Sequence, residues 1–175
     1  IDTGDYAIQS ELFKRLAFFT EKRGFRGRIL ESAELTHRHG WNAHNYSPEG
    51  LAGFFTAAET NGIGLEGLEP ELRDLALSAG VILPDGDGYR PGTGGILSVS
   101  QESGIVLRRL LLNHEAMHGV FYAEKGFRDG VFSHWNDTLS QREREYWRRF
   151  LGYMTYDPAD EYLMANEMQA YLLQQ

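Results

Sequence analysis

The sequence lacks cysteine, long hydrophobic runs and an excess of basic residues. The absence of cysteine excludes disulfides and thiolate metal sites. No apolar stretch reaches the ~18 residues that a transmembrane helix needs. The 17 Lys and Arg residues against 25 Asp and Glu residues give a net charge of -8. We therefore expect no membrane-spanning segment, and the acidic balance argues against a nucleic-acid partner.

The residues that are present are typical of a soluble globular protein. The chain has 175 residues, of which 42% are hydrophobic and 24% charged, and this fits one domain or one compact catalytic core. It begins at Ile1 rather than at methionine, so we expect a processed product or a piece of something longer. Export from the cell is one explanation, and a cytoplasmic location stays open.

Hydrophobic periodicity, helix caps and glycine or proline stops predict six helices. They cover about residues 5–22, 48–60, 70–79, 104–125, a segment from 140, and 157–173. Gly126 is the predicted stop of the longest helix, and Asp157-Pro158 is the predicted start of the last one. The alternating segment Ile96–Ser100 predicts a short strand. The fold class expected is α+β, mostly helical with a small sheet.

The longest predicted helix carries His114, Glu115 and His118. Residues four apart lie one turn apart on one helix face, so the two imidazoles can bind one zinc ion. Glu115 points roughly 100° away from His114, where it can take a proton from a water on the metal. The mainly apolar stretch from Val106 to Leu112 predicts that this helix is substantially buried. The alternative is a pair of partly exposed histidines beside a solvated glutamate.

A catalytic zinc site needs a third protein ligand. The metzincin pattern places a histidine where this chain has Glu124 and a glycine where it has Phe121, so that pattern fails. Glu167 on the last helix is the favoured ligand. His134 in a predicted loop and Glu161 near the start of the last helix remain rivals, although Glu161 also suits a plain partner of the helix dipole.

The surroundings of Glu167 support this choice. The apolar residues of the last helix recur at spacings that predict a buried face, namely Met164, Met168, Tyr171 and Leu172. A carboxylate at the edge of such a face is costly unless it is paired or bound to a cation. Asn166 or Tyr171 can orient nearby groups. The alternative is that Glu167 pairs with Arg108 or Arg109.

His114-Glu115-x-x-His118 on one helix, followed by Glu167 in an Asn-Glu-x-x-Ala setting, resembles the gluzincin group of zinc metallopeptidases. The resemblance covers about Ile96 to Tyr171. It implies a zincin-like fold, a Zn²⁺ cofactor bound by the two histidines and Glu167, and Glu115 as general base. It also implies an edge strand just before the active helix, a place that Ile96–Ser100 fits.

The activity that the resemblance implies is hydrolysis of a peptide or protein substrate by zinc-activated water. Residues 81–175 would form the catalytic core and residues 1–80 a helical subdomain or cap, and we expect the two to pack as one compact unit. Tyr153, Tyr156 and His134 are candidates for the group that stabilises the oxyanion. A silent metallopeptidase-like binding module and a zinc hydrolase of a non-peptide substrate are the alternatives.

Three further histidines cluster near the N-terminus: His37, His39 and His44. They could form a second metal site. The preferred interpretation is a loop packed by Trp41 and Tyr46, and a loop that lines or blocks the cleft is the third possibility.

Overall fold

The computed structural model describes residues 1–38 and 42–174. The helices in these residues are α1 (Tyr6–Thr20), α2 (Pro48–Asn61), α3 (Glu69–Ser78), α4 (Ile105–Ala123), α5 (Lys125–Ser133), α6 (Gln141–Tyr153) and α7 (Glu161–Leu173). The strands are β1 (Asp2–Thr3), β2 (Ala43–Tyr46), β3 (Ile82–Asp85), β4 (Gly88–Pro91) and β5 (Ile96–Ser100). The α+β class and the predominance of helix are as predicted. None of the described helices has the length and hydropathy needed to cross a bilayer.

The sheet that lies against α4 has three strands in the order β1-β5-β2. β5 pairs in parallel with β1 and antiparallel with β2, so that Val99 faces Asp2 on one side and Ala43 on the other. The strand over Ile96–Ser100 is confirmed, but its predicted position at the sheet edge is wrong. β1 is two residues long and β2 is the polar segment AHNY, so neither shows the apolar alternation that marks a strand.

The signals that begin and end α2 act as predicted. Ser47 caps the helix by accepting a hydrogen bond from the Gly50 amide at 3.2 Å, and Pro48 occupies the first turn. Gly62 ends the helix in a left-handed conformation with φ 65°, which glycine adopts without strain. The capping box of Ser140 and Glu143 at the start of α6 is likewise confirmed.

The end of α4 differs from the prediction. The helix ends at Ala123, because Glu124 has an extended backbone with φ -104° and ψ 95°. Arg128 satisfies two carbonyl groups in the last turn of α4 at 3.0 and 3.1 Å. Gly126 therefore lies inside α5, and its predicted role as a helix stop is wrong.

The start of the last helix also differs. α7 begins at Glu161, not at Asp157-Pro158. The Asp160 carboxylate accepts a hydrogen bond from the Leu163 amide at 3.1 Å and is the N-cap. Asp157 instead accepts from an amide two residues later at 3.1 Å, which makes a local turn.

Two large hydrophobic clusters and a small one around Phe18, Leu30 and Leu35 form the core of the described residues. The first joins α1, α2, α3 and the β3–β4 hairpin, and the second joins α4, α5, α6 and α7. Val81, Ile82 and Ile96 belong to the first cluster although they follow residue 80. β1 and β2, which precede it, pair with β5. A boundary at residue 80 stays a prediction.

The first half of α4 is exposed, which corrects the expectation that the helix is substantially buried. Ile105 is 85% exposed and Val106 is 81% exposed. The buried residues of α4 begin at His114. The reason is the position of the last helix: Asn113 contacts the carbonyl of Gln174, just past the end of α7, so in the described residues α7 ends level with the middle of α4.

Candidate metal centre

Three buried side chains meet between α4 and α7. Nε2 of His114 and Nε2 of His118 are 3.2 Å apart. Glu167 faces both, with Oε2 3.5 Å from His114 Nε2 and Oε1 3.7 Å from His118 Nε2. In residues 1–38 and 42–174, this is the group of histidines and carboxylates that could bind a metal ion. It consists of the residues that the sequence favoured.

The separations fit a shared ion. Ligand atoms about 2.0 to 2.2 Å from one tetrahedral ion lie about 3.3 to 3.6 Å from each other. The distance of 3.2 Å between the two Nε2 atoms and the distances of 3.5 and 3.7 Å from them to the carboxylate oxygens are close to that range. In addition, Oε2 of Glu167 is buried and has no hydrogen-bond partner among the described residues. A buried carboxylate oxygen without a donor is costly, and a cation at this point would remove that cost.

Each histidine also has a polar contact at its other ring nitrogen, Nδ1. Nδ1 of His118 lies 3.0 Å from Oδ1 of Asn166, and Nδ1 of His114 lies 3.0 Å from Oε1 of Gln174. The ring of Tyr171 packs edge-on against the His114 ring at 4.7 Å. These contacts direct both Nε2 atoms toward the common centre, as outer contacts of metal-binding histidines do. Asn166 and Tyr171 had been singled out for such a role, whereas Gln174 had not.

Glu115 follows His114 in α4 but points elsewhere. Its side chain is buried, and Oε2 accepts a hydrogen bond from Nδ2 of Asn45 at 3.0 Å. Burial raises the pKa of Glu115 to about 8, with the nearby charge of Glu167 raising it further and His114 and Asn45 opposing the shift. Glu115 therefore lies beside the cluster and is not a member of it.

The charges of the cluster suit a metal site. Burial lowers the pKa of His118. Burial by itself would also lower the pKa of His114, but the adjacent Glu167 raises it overall. The pKa of Glu167 is held below its usual value, because the two histidines outweigh the opposing effect of burial. The shifts thus favour the ionised form of the Glu167 carboxyl and the neutral form of the His118 imidazole.

Two residues at the site had no place in the sequence prediction. The Tyr122 hydroxyl donates to Oδ1 of Asn45 and accepts from Nδ2 of Asn166 at 3.3 Å, and its ring stacks near His118 at 6.5 Å. Tyr122 follows His118 by four residues on one helix, so the spacing could have revealed it. Asn45 comes from β2, 70 residues before Glu115, and no local pattern marks it.

A cleft of about 990 Å³ gives access to this centre. Its walls come from the end of α1, the junction of β2 and α2, the loop before β5, and α7. Asn45, Tyr122, Asn166 and Glu167 all line it. The cleft therefore reaches Glu167 of the cluster and Asn45, the residue that contacts Glu115.

The rival third ligands lie elsewhere. His134 is exposed in the helical turn His134–Thr138 and is not part of the cluster. Glu161 is exposed at the start of α7, where it accepts a hydrogen bond from Trp135 Nε1 at 2.6 Å and pairs with Arg148. Arg108 pairs with Asp2 at 3.3 Å, so it is not the partner of Glu167.

Only one of the three oxyanion candidates reaches the centre. Tyr156 is buried, and its side chain contacts Glu167. Tyr153 is 86% exposed at the end of α6, and His134 is exposed as well.

The N-terminal histidines do not meet in the described part of the chain. His44 is buried in β2, where Nδ1 lies 2.9 Å from the Tyr46 hydroxyl and the ring packs on Phe13 at 5.1 Å. His37 is exposed. His39 and Trp41 lie outside the described residues. His44 is thus a packed residue of the sheet, next to the Asn45 that contacts Glu115.

The chain matches no model of a known protein family, and neither curated proteins nor solved structures gave a match. The nature of the metal and the reaction must therefore be argued from the residues of this chain.

Proposed function

We propose that this protein is a zinc-dependent hydrolase of peptide bonds, with a zincin-like fold of the gluzincin type. His114, His118 and Glu167 are the proposed zinc ligands, and Glu115 is the proposed general base. The observation that carries the proposal is the close approach of the two Nε2 atoms to each other and to the buried carboxylate of Glu167, whose Oε2 lacks a hydrogen-bond partner among the described residues. Oε2 of Glu167 lies 3.5 Å from Nε2 of His114, and no described residue is placed in hydrogen-bonding geometry with it.

The donor set supports zinc among the common metals. Two imidazole nitrogens and one carboxylate form a known catalytic zinc set, and that set leaves a coordination position open. Zinc in such a site supplies a Lewis acid and lowers the pKa of a coordinated water to roughly 7. Glu115, held by Asn45, would accept the proton of that water and pass it to the nitrogen of the leaving amine.

An extended peptide suits the cleft. β2 pairs only with β5 among the described residues, so no strand lies along its other edge. The end of β2, at Asn45 and Tyr46, lines the cleft. A substrate backbone that adds to this edge would pass the metal-binding group, and main-chain hydrogen bonds are a common means of peptide recognition.

Zinc binding and cleavage test the proposal separately. We expect about one zinc per chain in the purified protein. His114→Ala and His118→Ala should lose the metal, whereas Glu115→Gln should keep it and lose activity. Stoichiometric zinc in the variant with both histidines replaced would show that the site is assigned wrongly.

A peptide library at neutral pH, assayed with and without a chelator, tests the reaction itself. Cleavage that the chelator abolishes supports the peptidase. Zinc binding without cleavage of any peptide would instead favour a binding module or a hydrolase of another bond.

A further inference from the structure

We infer that Asn166, Tyr122 and Asn45 form a one-way chain of hydrogen bonds that joins the metal ligand His118 to the proposed base Glu115. This chain of hydrogen bonds would place the proton of His118 on Nδ1 and fix the position of the Glu115 carboxylate. All three are positioning residues, and the inference rests on the proposed metal site. The contacts run as follows: His118 Nδ1 to Asn166 Oδ1, Asn166 Nδ2 to Tyr122 Oη, Tyr122 Oη to Asn45 Oδ1, and Asn45 Nδ2 to Glu115 Oε2.

The direction in which these hydrogen bonds donate is determined at the His118 end by the backbone carbonyl of Met117. The oxygen of Met117 can only accept, so the side-chain group of Gln169 that lies 3.3 Å from it must be the NH₂ group. The same NH₂ group lies 3.3 Å from the Asn166 side chain, whose facing atom must then be Oδ1. Because Oδ1 cannot donate, the hydrogen bond to it at 3.0 Å requires a proton on Nδ1 of His118.

The same direction follows from the amide geometry further along. With Oδ1 facing His118, the Asn166 NH₂ group faces the Tyr122 hydroxyl and donates to it. The single hydroxyl proton of Tyr122 is then free to go to Asn45. Asn45 accepts through Oδ1, so its NH₂ group faces Glu115 at 3.0 Å. A carboxylate oxygen is an acceptor, so each side chain in the series donates one hydrogen bond to the next, from His118 to Glu115.

The buried oxygen of Gln169 is consistent with this orientation. Oε1 of Gln169 has no hydrogen-bond partner among the described residues. Reversing the amide would place two acceptors against each other at Met117, so the present orientation is the better one. The orientation of the Gln169 amide that holds Asn166 in place therefore leaves Oε1 of Gln169 without a partner among the described residues.

With Nδ1 protonated, the neutral imidazole has its lone pair on Nε2. This is the atom that faces His114 and Glu167 at 3.2 and 3.7 Å. A metal ligand of this kind needs no tautomer change before it binds the ion, and a fixed tautomer raises metal affinity. At the other end, the amide of Asn45 holds Glu115 where a proton can reach it.

The ring nitrogens of His118 provide the first test. Long-range ¹H–¹⁵N correlation spectra of the labelled protein, recorded without metal and with added zinc, distinguish the two tautomers. We expect the proton on Nδ1 of His118 in both samples, and a mixture of tautomers in metal-free Asn166→Leu. A proton on Nε2 of His118 in the metal-free wild type would overturn the inference.

Metal affinity provides the second test. Competition with a chromophoric chelator should show that Asn166→Leu binds zinc about 10- to 100-fold more weakly than the wild type. Asn166→Asp keeps an acceptor for His118 and should restore most of the affinity. Equal affinity for the wild type and Asn166→Leu, with both folded by circular dichroism, would contradict the inference.

Tyr122→Phe interrupts the chain in the middle while it preserves the ring beside His118. Zinc affinity and the His118 tautomer should stay as in the wild type. Against a cleaved peptide, kcat should fall by up to about 100-fold with little change in KM, because Glu115 is less well positioned. An unchanged kcat would overturn the link to Glu115. If no peptide is cleaved, the proposed reaction fails, whereas the tautomer and affinity measurements still decide the His118 part.

Discussion

Nε2 of His118 lies 3.7 Å from Oε1 of Glu167, although the two residues belong to the fourth and the seventh helix. The helices α4 and α7 pack in opposite directions, since Phe121 contacts Tyr162 while His114 contacts Gln174. The two histidines of α4 offer two ligand atoms, and this packing brings the carboxylate of α7 beside them as a third. The proposed third ligand therefore depends on tertiary structure.

The first prediction concerns Glu167. Glu167→Ala should weaken zinc binding by at least about tenfold, since it removes one of the three proposed protein ligands while the helices stay folded. Glu161→Ala is the matched control on the same helix, and its exposed carboxylate contacts Trp135 and Arg148 instead. Zinc titration against a competing chelator measures both. Unchanged affinity in Glu167→Ala, together with loss of the metal in His134→Ala, would show that the ligand set is wrong.

The members of the cluster could be named from sequence because each carries a local signal, although their meeting depends on how α4 and α7 pack. A four-residue spacing fixes His114 and His118 on one helix face, and the cost of a carboxylate on an apolar face marks Glu167. Asn45 could not be found in this way. It belongs to a four-residue polar strand whose position depends on pairing with β5. Strand order is a property of the whole fold, and so the central place of β5 was missed as well.

The exposure of the first turns of α4 shows a second limit. An apolar stretch predicts burial only if another element covers it, and sequence periodicity does not say where the covering element ends. Here α7 ends at Leu173, level with the middle of α4. Val106 is consequently exposed although its neighbours in sequence are apolar.

The second prediction concerns the two halves of α4. Phe121 is fully buried in the second hydrophobic cluster, and Phe121→Ala should lower the free energy of unfolding by about 3 to 5 kcal/mol. Val106 is 81% exposed, and Val106→Ala should change it by less than about 0.5 kcal/mol. Urea unfolding followed by circular dichroism measures both. A large loss in Val106→Ala would mean that the first turns of α4 are covered in solution.

The third prediction concerns zinc and stability. A metal that binds only the folded chain stabilises it, by about 2.7 kcal/mol when free zinc is 100 times the dissociation constant. Addition of zinc should therefore raise the melting temperature, and a chelator should reverse the change. The variant with both His114 and His118 replaced by alanine is the control and should not respond. An equal response in that variant would place the stabilising zinc at another site.

The last prediction concerns Glu69, a buried residue in the first turn of α3. Its Oε2 accepts hydrogen bonds from Arg15 Nη1 and from the amide of Glu66, both at 3.0 Å. Burial nevertheless outweighs the amide of Glu66 and the charge of Arg15, and raises the pKa of Glu69 from 4.5 to about 7. Between those values the folded chain keeps a proton that the unfolded chain releases. The contribution of Glu69 to stability is thus fully present below about pH 4.5 and is lost as the pH rises toward 7.

Urea unfolding at several pH values between 4.5 and 7 measures this effect as a difference between variants. Glu69→Gln cannot titrate, so its stability should decline less with rising pH than that of the wild type. Glu66→Gln is the matched control, because Glu66 contacts the same Arg15 guanidinium at 3.2 Å from a partly exposed position and leaves Glu69 in place. It should retain the decline of the wild type. If the wild type and Glu69→Gln show parallel pH profiles, the proton is not held by Glu69, and the carboxylate is ionised against Arg15 throughout this range.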